Sequence, residues 1–377
     1  MKVLLKSPLN PYSGYGVDGI GIAQALTRAG IDVYLDPEVI GPPLPSGVAT
    51  LLTKRLDGPF DLLIHHSDPD QLGISDNARR GVSAAVGWTM WEYTSTENLP
   101  GRDSLTKRLL NYDLVLGYDT VSTAALAPHQ RRIATLQGGF WPDTWPKATT
   151  RDWTGDRFGF AMVGQLHQRK DPFVAIQAFK ELRDEHPDFH NAELHLKTST
   201  PGLHTAMQDW CPGLYVHYAV WPTEALRDFY GRQHVLLAPS RGEGKNVPAL
   251  EFMSTGGTVI ATNWGGPTQW LSNQYAYPLD FELQPQSPAT PDCRNARADK
   301  DHLKALMLHT YRTRAEVARK GAMAARVIPA MCGWEPVLER LFTKLAEHIP
   351  TTGPQLQHAY RAAKTAQETR GLVRTVG

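Results

Sequence analysis

Two carboxylates, Glu243 and Glu251, are separated by seven residues in the stretch HVLLAPSRGEGKNVPALEFMSTGGTVIATNWGGPTQWL, residues 234–271. Between them runs a loop, Ser240 to Val247, with two glycines and mixed charges. A helix follows whose first turn starts at Pro248, where the missing proline N–H would have no intrahelical acceptor anyway. Backbone N–H groups at Gly244, Lys245, Asn246 and Val247 can point out of such a turn just ahead of the helix N-terminus, which makes an anion site. Glu243 would sit at the mouth of the loop, and Glu251 in the first turn on the same side. Ionised carboxylates only accept hydrogen bonds, so they would take hydroxyl protons while the amides take phosphate oxygens. The ligand this chemistry implies is both a phosphate and a polyol.

The elements that must hold these groups are legible on either side. Val235 to Ala238 and Val259 to Thr262 have the length and branched residues of buried parallel strands. The helix between them carries Leu250, Phe252 and Met253 and stops at Gly256-Gly257. This is a strand–loop–helix–strand unit of a parallel sheet. A second such unit starts at Phe158 to Val163, runs through Gly164-Gln165-Leu166-His167-Gln168-Arg169-Lys170-Asp171-Pro172, and continues as a helix from Phe173 to Glu185. A cation at a helix start opposes the macrodipole by about 0.3–1 kcal/mol unless an anion bridges it, a small bias toward an anion beside Lys170.

The string PSRGEGKNVPALEFMSTGGTVIAT resembles the E-x7-E signature of retaining GT-B glycosyltransferases, most closely glycosyltransferase family 4. The resemblance implies an α/β fold of GT-B architecture: two Rossmann-like parallel-sheet domains facing across a cleft. It implies that Glu243 supports the hydroxyls of a donor sugar, that the amides of Gly244, Lys245, Asn246 and Val247 hold sugar and diphosphate, and that Glu251 binds the ribose. Lys170 matches a diphosphate-binding Lys of the family. Gln165 stands where an Arg is often found, and Arg169 or Lys245 could substitute for it. The pair Lys245-Asn246 departs from the family's aromatic or small residue followed by Gly, which bears on the identity of the sugar. Val220 and Trp221 fall where the nucleobase lies, and Gly265-Gly266 matches the glycine turn after the next strand. The implied enzyme moves a sugar from a nucleotide-diphosphate sugar, a UDP-sugar first among them, to an acceptor hydroxyl. The leaving phosphate would accept the proton, Glu243 and Lys170 would be the catalytic residues, and neither metal nor cofactor would be needed, the nucleotide sugar being a co-substrate.

The first half reads as a βαβ start: a strand at Lys2 to Lys6, a helix from about Val17 to Arg28, and a strand at Ile31 to Leu35. Its loop contains Gly14-Tyr15-Gly16-Val17-Asp18-Gly19, a literal GxGxxG, and Asp36 lies about where a ribose-binding acid belongs in a dinucleotide fold. An NAD(P)-dependent oxidoreductase is therefore an alternative. In the favoured reading Gly14 and Gly16 are donor-side positions of close backbone approach, set against glycines that serve only the strand-to-helix turn. Strand Asp61 to His65 runs into His65-His66-Ser67-Asp68-Pro69-Asp70, at the strand end where open α/β sheets bind ligands. His65 and His66 are acceptor-side candidates, as is Glu92 beside Trp88, Trp91 and Tyr93; the bland readings are a capped strand end and aromatic core. His65, His66 and His167 are the lesser catalytic candidates.

The domains implied are an N-terminal acceptor-binding domain over 1–148 and a C-terminal nucleotide-sugar domain over 149–333. Residues 334–377 would add a helix crossing back to the first domain and a tail. Residues 284–300 are polar and Pro-rich, which predicts a surface loop, and Thr223 is a plausible cap for the helix after Trp221-Pro222. The 377 residues suffice for two domains with real cores. A net charge of +1 makes no broad claim on nucleic acid or acidic membrane. Phosphate contacts dominate affinity for a DNA duplex, yet Arg79-Arg80 and Arg131-Arg132 keep a hydroxylated DNA base among the acceptors, with glycans and proteins. Three cysteines, Cys211, Cys293 and Cys332, form neither a disulfide framework nor a metal spacing, which suits the cytoplasm. No signal peptide and no membrane span is expected. A non-catalytic sugar-nucleotide or glycan-binding protein on the same fold is the remaining alternative.

Overall fold

The computed structural model describes residues 1–199 and 210–376. Two compact units emerge: residues 1–140 with 333–377, and residues 141–332. The boundary expected at 148/149 lies eight residues further along the chain than this division.

In the first unit, β1 (Lys2–Leu9), β2 (Asp32–Ile40), β3 (Phe60–His66), β4 (Val82–Thr89), β5 (Leu114–Gly117) and β6 (Ile133–Thr135) form a parallel sheet in the order β2-β1-β3-β4-β5-β6. The central strands β3, β4 and β5 are apolar runs buried on both faces, as crossover helices require, whereas β1 and the start of β2 alternate buried and half-buried residues. The order turns back between β1 and β3, which places a crevice at the ends of those two strands. The first helix, Gly14–Arg28, starts three residues earlier than the apolar period suggests. Ser13 caps it, accepting a hydrogen bond from the Gly16 N–H at 3.1 Å, so Gly14 and Gly16, expected in the preceding loop, lie within the helix. Gly21 faces the Trp334 indole so closely that a Cβ would stand 2.4 Å from its Nε1. Helix Trp334–His348 is thereby seated on the first helix, and the Trp334 N–H donates to the Phe140 carbonyl at 3.1 Å.

In the second unit, β7 (Phe158–Gly164), β8 (Ala192–Thr198), β9 (Leu214–Tyr218), β10 (Val235–Ala238), β11 (Thr258–Thr262) and β12 (Tyr277–Leu279) pair in parallel in the order β12-β11-β10-β7-β8-β9. This is the doubly wound order, with its switch point between β7 and β10. Its core gathers Phe158, Phe160, Phe179, Phe189, Leu194 and Leu196, all fully buried. Along β8 the pleat sends Leu194 and Leu196 into that core and Glu193, His195 and Lys197 to the other face.

Two expectations are corrected here. Residues 284–300 are no plain loop: β13 (Phe281–Ser287) and β14 (Thr290–Ala298) form an antiparallel hairpin. Its polar, Pro-bearing sequence hides the period, because backbone pairing rather than apolar burial makes these strands. Thr223 is not the cap of its helix but its first residue; the helix is Thr223–Arg232, and Pro222 precedes it with no side-chain cap bond.

The segment after the boundary contains an anchor that polarity conceals. Arg151 is buried, and its guanidinium donates to the carbonyls of Tyr230 (2.9 Å), Gln233 (2.5 Å) and Thr255 (3.0 Å) and to the Thr255 hydroxyl (3.1 Å). These carbonyls end helices Thr223–Arg232 and Val247–Ser254, so one cation satisfies the C-terminal acceptors and dipoles of both. Burial pulls its pKa down to about 10, which leaves it charged at neutral pH. Arg151→Met leaves several buried carbonyls unbonded and is expected to cost about 3 kcal/mol. A lowered urea midpoint checks this; an unchanged midpoint contradicts the anchoring role.

Candidate functional site

The loops after β7 and β10 meet at the switch point, and charge holds them together. Gly164 takes φ +137°, a left-handed value that turns the chain out of β7. A 3-10 turn, Gln168–Lys170, follows, and Asp171 at φ 48° starts helix Pro172–Glu185. From this turn the Lys170 ammonium reaches Glu243 Oε1 at 2.5 Å. The Ser240 hydroxyl donates to the same oxygen at 2.6 Å and the Asn246 amide at 3.4 Å. Arg169 Nη1 stands 3.5 Å from Glu243 Oε2 and donates to the Gly242 carbonyl. Glu243 itself is only 6% exposed. Burial alone would raise its pKa, but Lys170 and Arg169 outweigh it and hold the carboxyl below its ordinary range.

The rest of the loop is fixed through its carbonyls. The Glu243 carbonyl accepts from the Gly266 N–H (2.8 Å), that of Lys245 from Trp270 Nε1 (2.9 Å), and that of Arg241 from the Ala296 N–H (2.9 Å). Gly266 is required: a Cβ there would lie 2.1 Å from the Gly244 carbonyl oxygen. Arg241 also binds backward, its N–H to the Arg169 carbonyl (2.7 Å) and its Nε to Asp171 Oδ2 (2.9 Å). The hairpin strand β14 thus buttresses the Glu243 loop, a role for which the sequence carries no signal. Asn246 is the N-cap of helix Val247–Ser254 in a left-handed conformation, φ 64°, which Asn tolerates better than most residues. The helix follows the loop directly: Pro248 brings no N–H to its first turn, and the Ala249 N–H is taken by the Asn246 carbonyl at 3.0 Å.

Glu251 lies one turn into that helix, half-buried, with its Oε2 accepting from the Tyr230 hydroxyl at 3.1 Å. Burial pushes its pKa up to about 8, against the pull of the Tyr230 hydroxyl, Lys245 and Lys197. The two carboxylates therefore differ in kind: Glu243 is an ionised, neutralised anchor, and Glu251 a protonated or readily protonated one at neutral pH. Spacing alone identifies both; Ser240 and Tyr230, which bond to them, are missed because one is a common loop residue and the other an ordinary core aromatic.

The structure brings Glu243, Lys170, Arg169, Gly244, Lys245, Asn246, Val247 and Glu251 into one unit around one switch point. Gly14 and Gly16 belong to the other unit. Gly14 is exposed, with open space around its missing Cβ, whereas at Gly16 a Cβ would strike the Asn10 carbonyl oxygen at 2.2 Å, and at Gly19 that of Pro8 at 2.3 Å. Close helix-on-strand packing thus accounts for the second and third glycines of the GxGxxG. His65 and His66 show no solvent exposure. His65 bonds the Tyr112 hydroxyl and Glu38 Oε1, both at 2.6 Å, and His66 bonds the Ser7 hydroxyl (3.1 Å) and the Tyr118 hydroxyl (2.7 Å). Tyr118 donates in turn to buried Asp18 at 2.7 Å. Glu92 is half-buried just past β4, next to a backbone held by Tyr15, whose hydroxyl donates to the Met90 carbonyl at 2.9 Å. His167 lies exposed beside Arg169 and Lys170; partial burial and these two cations lower its pKa. Among the described residues no cluster of three His, Cys, Asp or Glu side chains could hold a metal ion.

Comparison places this geometry among known proteins. Residues 157–280, which include the whole switch-point site, match the family described as Glycosyl transferases group 1. No curated protein sequence matches the chain. Among solved structures, Anabaena HepE in complex with UDP is similar at 12% identity and a TM-score of 0.67, over 92% of this chain and 100% of that one. A glycosyltransferase from Rickettsia africae is similar at 12% identity and a TM-score of 0.65, over 93% and 99%. The sucrose-phosphate synthase of Thermosynechococcus elongatus follows at 14% identity and 0.63, over 92% and 99%.

The raised pKa of Glu251 has a measurable sign. The unfolded side chain titrates near 4.3 and the folded one near 8, so between these values unfolding releases a proton and stability falls as pH rises. Glu251→Gln keeps the acceptor for Tyr230 but cannot ionise. It is expected to match the parent near pH 4.5 and to exceed its stability by roughly 2–4 kcal/mol at pH 9. Denaturation at the two pH values checks this; a pH-independent difference would mean that Glu251 is already ionised.

Two parallel six-stranded sheets give the chain the GT-B fold of these neighbours, and residues 157–280 match Glycosyl transferases group 1.

Proposed function

We propose that the chain is a retaining glycosyltransferase that uses a nucleotide-diphosphate sugar, a UDP-sugar first among donors, and delivers the sugar to an acceptor hydroxyl. The observation that carries this reading is the buried Glu243–Lys170 pair at the switch point, one turn ahead of Glu251. HepE, similar in fold, has been solved with UDP and with UDP-glucose, which favours uracil as the donor base here.

In this reading Glu251 receives the ribose and Glu243 the sugar hydroxyls. The diphosphate lies against Lys170, Arg169 and the amides from Gly244 to Val247. An ammonium has three N–H donors; one of those on Lys170 goes to Glu243, which fixes the others toward the phosphate. The acceptor oxygen attacks the anomeric carbon from the face the diphosphate leaves. The carbon–oxygen bond to phosphate breaks, its electron pair stays on the diphosphate, and the acceptor proton passes to a phosphate oxygen. Charge accumulates on the leaving group, where preorganised donors are worth several kcal/mol. These side-chain and backbone donors are the basis for reading the reaction as metal-independent. The first unit is assigned the acceptor, whether glycan, protein or hydroxylated DNA base. The buried free cysteines fit a cytoplasmic enzyme, and no described helix is long and apolar enough to cross a membrane.

A nucleotide sugar at about 100 times its dissociation constant adds roughly 2.7 kcal/mol to the folded state. Thermal unfolding with UDP-, GDP-, ADP-, CMP- and dTDP-sugars and with NADH is therefore expected to single out one nucleotide-sugar class. NMR of the product is expected to show the donor's anomeric configuration retained; inversion overturns the mechanism. Glu251→Ala is expected to weaken nucleotide binding, and Glu243→Ala to abolish turnover with a smaller loss of affinity. Equal losses, or none, overturn the division of roles, and binding without turnover of any acceptor favours a non-catalytic binding protein.

A further inference from the structure

We propose that Lys197 selects the donor's nucleobase, favouring bases with a carbonyl edge, uracil or guanine, over adenine. The inference rests on the donor reading above and extends it to a residue that no sequence pattern marks.

The row of β8 that faces away from the core is Glu193, His195 and Lys197, all half-buried, and its members are unequal. Glu193 accepts from His195 Nε2 at 3.0 Å and from the Arg157 guanidinium. His195 in turn bonds His217 Nε2 at 3.1 Å. These groups line a cavity of about 470 Å³ and are bonded to one another. Lys197, at the C-terminal end of the row, is different. Its half-buried ammonium has neither a hydrogen bond nor an ion pair among the described residues. Its polar surroundings are the Trp221 ring, 5.8 Å from ring centroid to Nζ, and the more distant carboxyl of Glu251. That distance is at the limit of a cation–π contact, about 6 Å. A half-buried ammonium with no acceptor among the described residues is placed to take one from a ligand. Burial lowers the pKa of Lys197, and Glu251 draws it back up.

The elements point the same way. Trp221 stands just before helix Thr223–Arg232, and Glu251 sits in helix Val247–Ser254; the Tyr230–Glu251 bond ties the two helices together. The strand order β10-β7-β8-β9 puts Trp221 and Lys197 on the β8–β9 side, while the phosphate cations follow β7. A nucleotide with its ribose on Glu251 and its diphosphate at Lys170 therefore carries its base toward Trp221. A base stacked there gains about 1–3 kcal/mol from the aromatic face and presents its edge to Lys197. An ammonium only donates. Uracil and guanine offer it a carbonyl oxygen for a charge-assisted bond, whereas adenine has an amino group and no carbonyl.

Calorimetric titration of the whole protein with UDP, GDP and ADP tests this, comparing wild type with Lys197→Met, which keeps the length and the apolar stem over Trp221. The wild type is expected to bind UDP or GDP at least about tenfold more tightly than ADP. The variant is expected to lose about tenfold for that nucleotide while ADP changes by less than about twofold, with an unchanged thermal midpoint. Equal losses for all three nucleotides would assign Lys197 to the shared ribose or phosphate and overturn the proposal. So would no loss, or a wild-type preference for ADP. A wild type that binds none of the three overturns the donor reading itself, and this proposal with it.

Discussion

A buried carboxylate must be neutralised where it lies, and at Glu243 that requirement organises the second unit. An ionised carboxylate moved unpaired into a protein interior costs several kcal/mol. The partners here come from a loop 73 residues earlier in the chain. The β7 loop must therefore close on the β10 loop, and it does so with Lys170 and Arg169 at Glu243 and the backbone of Arg169 on Arg241. The pair adds little net stability, since desolvation offsets most of its attraction. What it supplies is position: two cations and a helix N-terminus held around one point at the crevice of a doubly wound sheet.

That point would be of little use on mobile supports. Three devices stiffen it. Arg151 fastens the C-terminal ends of the two helices whose other ends carry Trp221 and Glu251. The β13–β14 hairpin bonds the Arg241 carbonyl through Ala296. The Gly265-Gly266 turn lies so close beneath Glu243 and Gly244 that no side chain could replace Gly266. Each engages a backbone group of the loop or of its helices, so the loop's position beside the helix N-terminus is set from several sides. The loop is thus preorganised before any ligand arrives, the condition under which electrostatic stabilisation is most effective.

The first unit follows a different logic. His65 and His66 lie next to each other yet join separate networks, one through Glu38 and Tyr112, the other through Tyr118, Asp18 and Ser7. Such networks hold a core polar but satisfied. They fasten the end of β3 to β1, β2 and the first helix at the unit's own switch point, where Tyr15, Asp68 and Glu92 gather. Desolvation, the largest influence, pushes the pKa of Asp68 up to about 6. The proton balance of this region is therefore set by burial as much as by composition.

The chain's local grammar was enough to determine a good deal. Buried apolar runs of strand length, glycine and proline punctuation, and the Glu243–Glu251 spacing around a glycine loop are short-range properties, and they mark the parallel strand–helix units in both halves, while the two-domain architecture rests on the resemblance of that loop to a known signature. The literal GxGxxG shows the limit of such grammar: at Gly16 and Gly19 the missing Cβ makes room for Asn10 and Pro8, a demand that only the packed helix reveals. The hairpin over 281–298 escaped because its strands are held by each other's backbone rather than by an apolar face. Arg151, Tyr230 and Lys197 have no motif to mark them, although Arg151 is a buried anchor. What the tertiary structure alone decided is which distant groups meet: which cations neutralise Glu243, what burial does to Glu251, and which ammonium has no acceptor among the described residues. Those outcomes depend on contacts across dozens of residues and on local dielectric, neither of which is written in the period or spacing of a sequence.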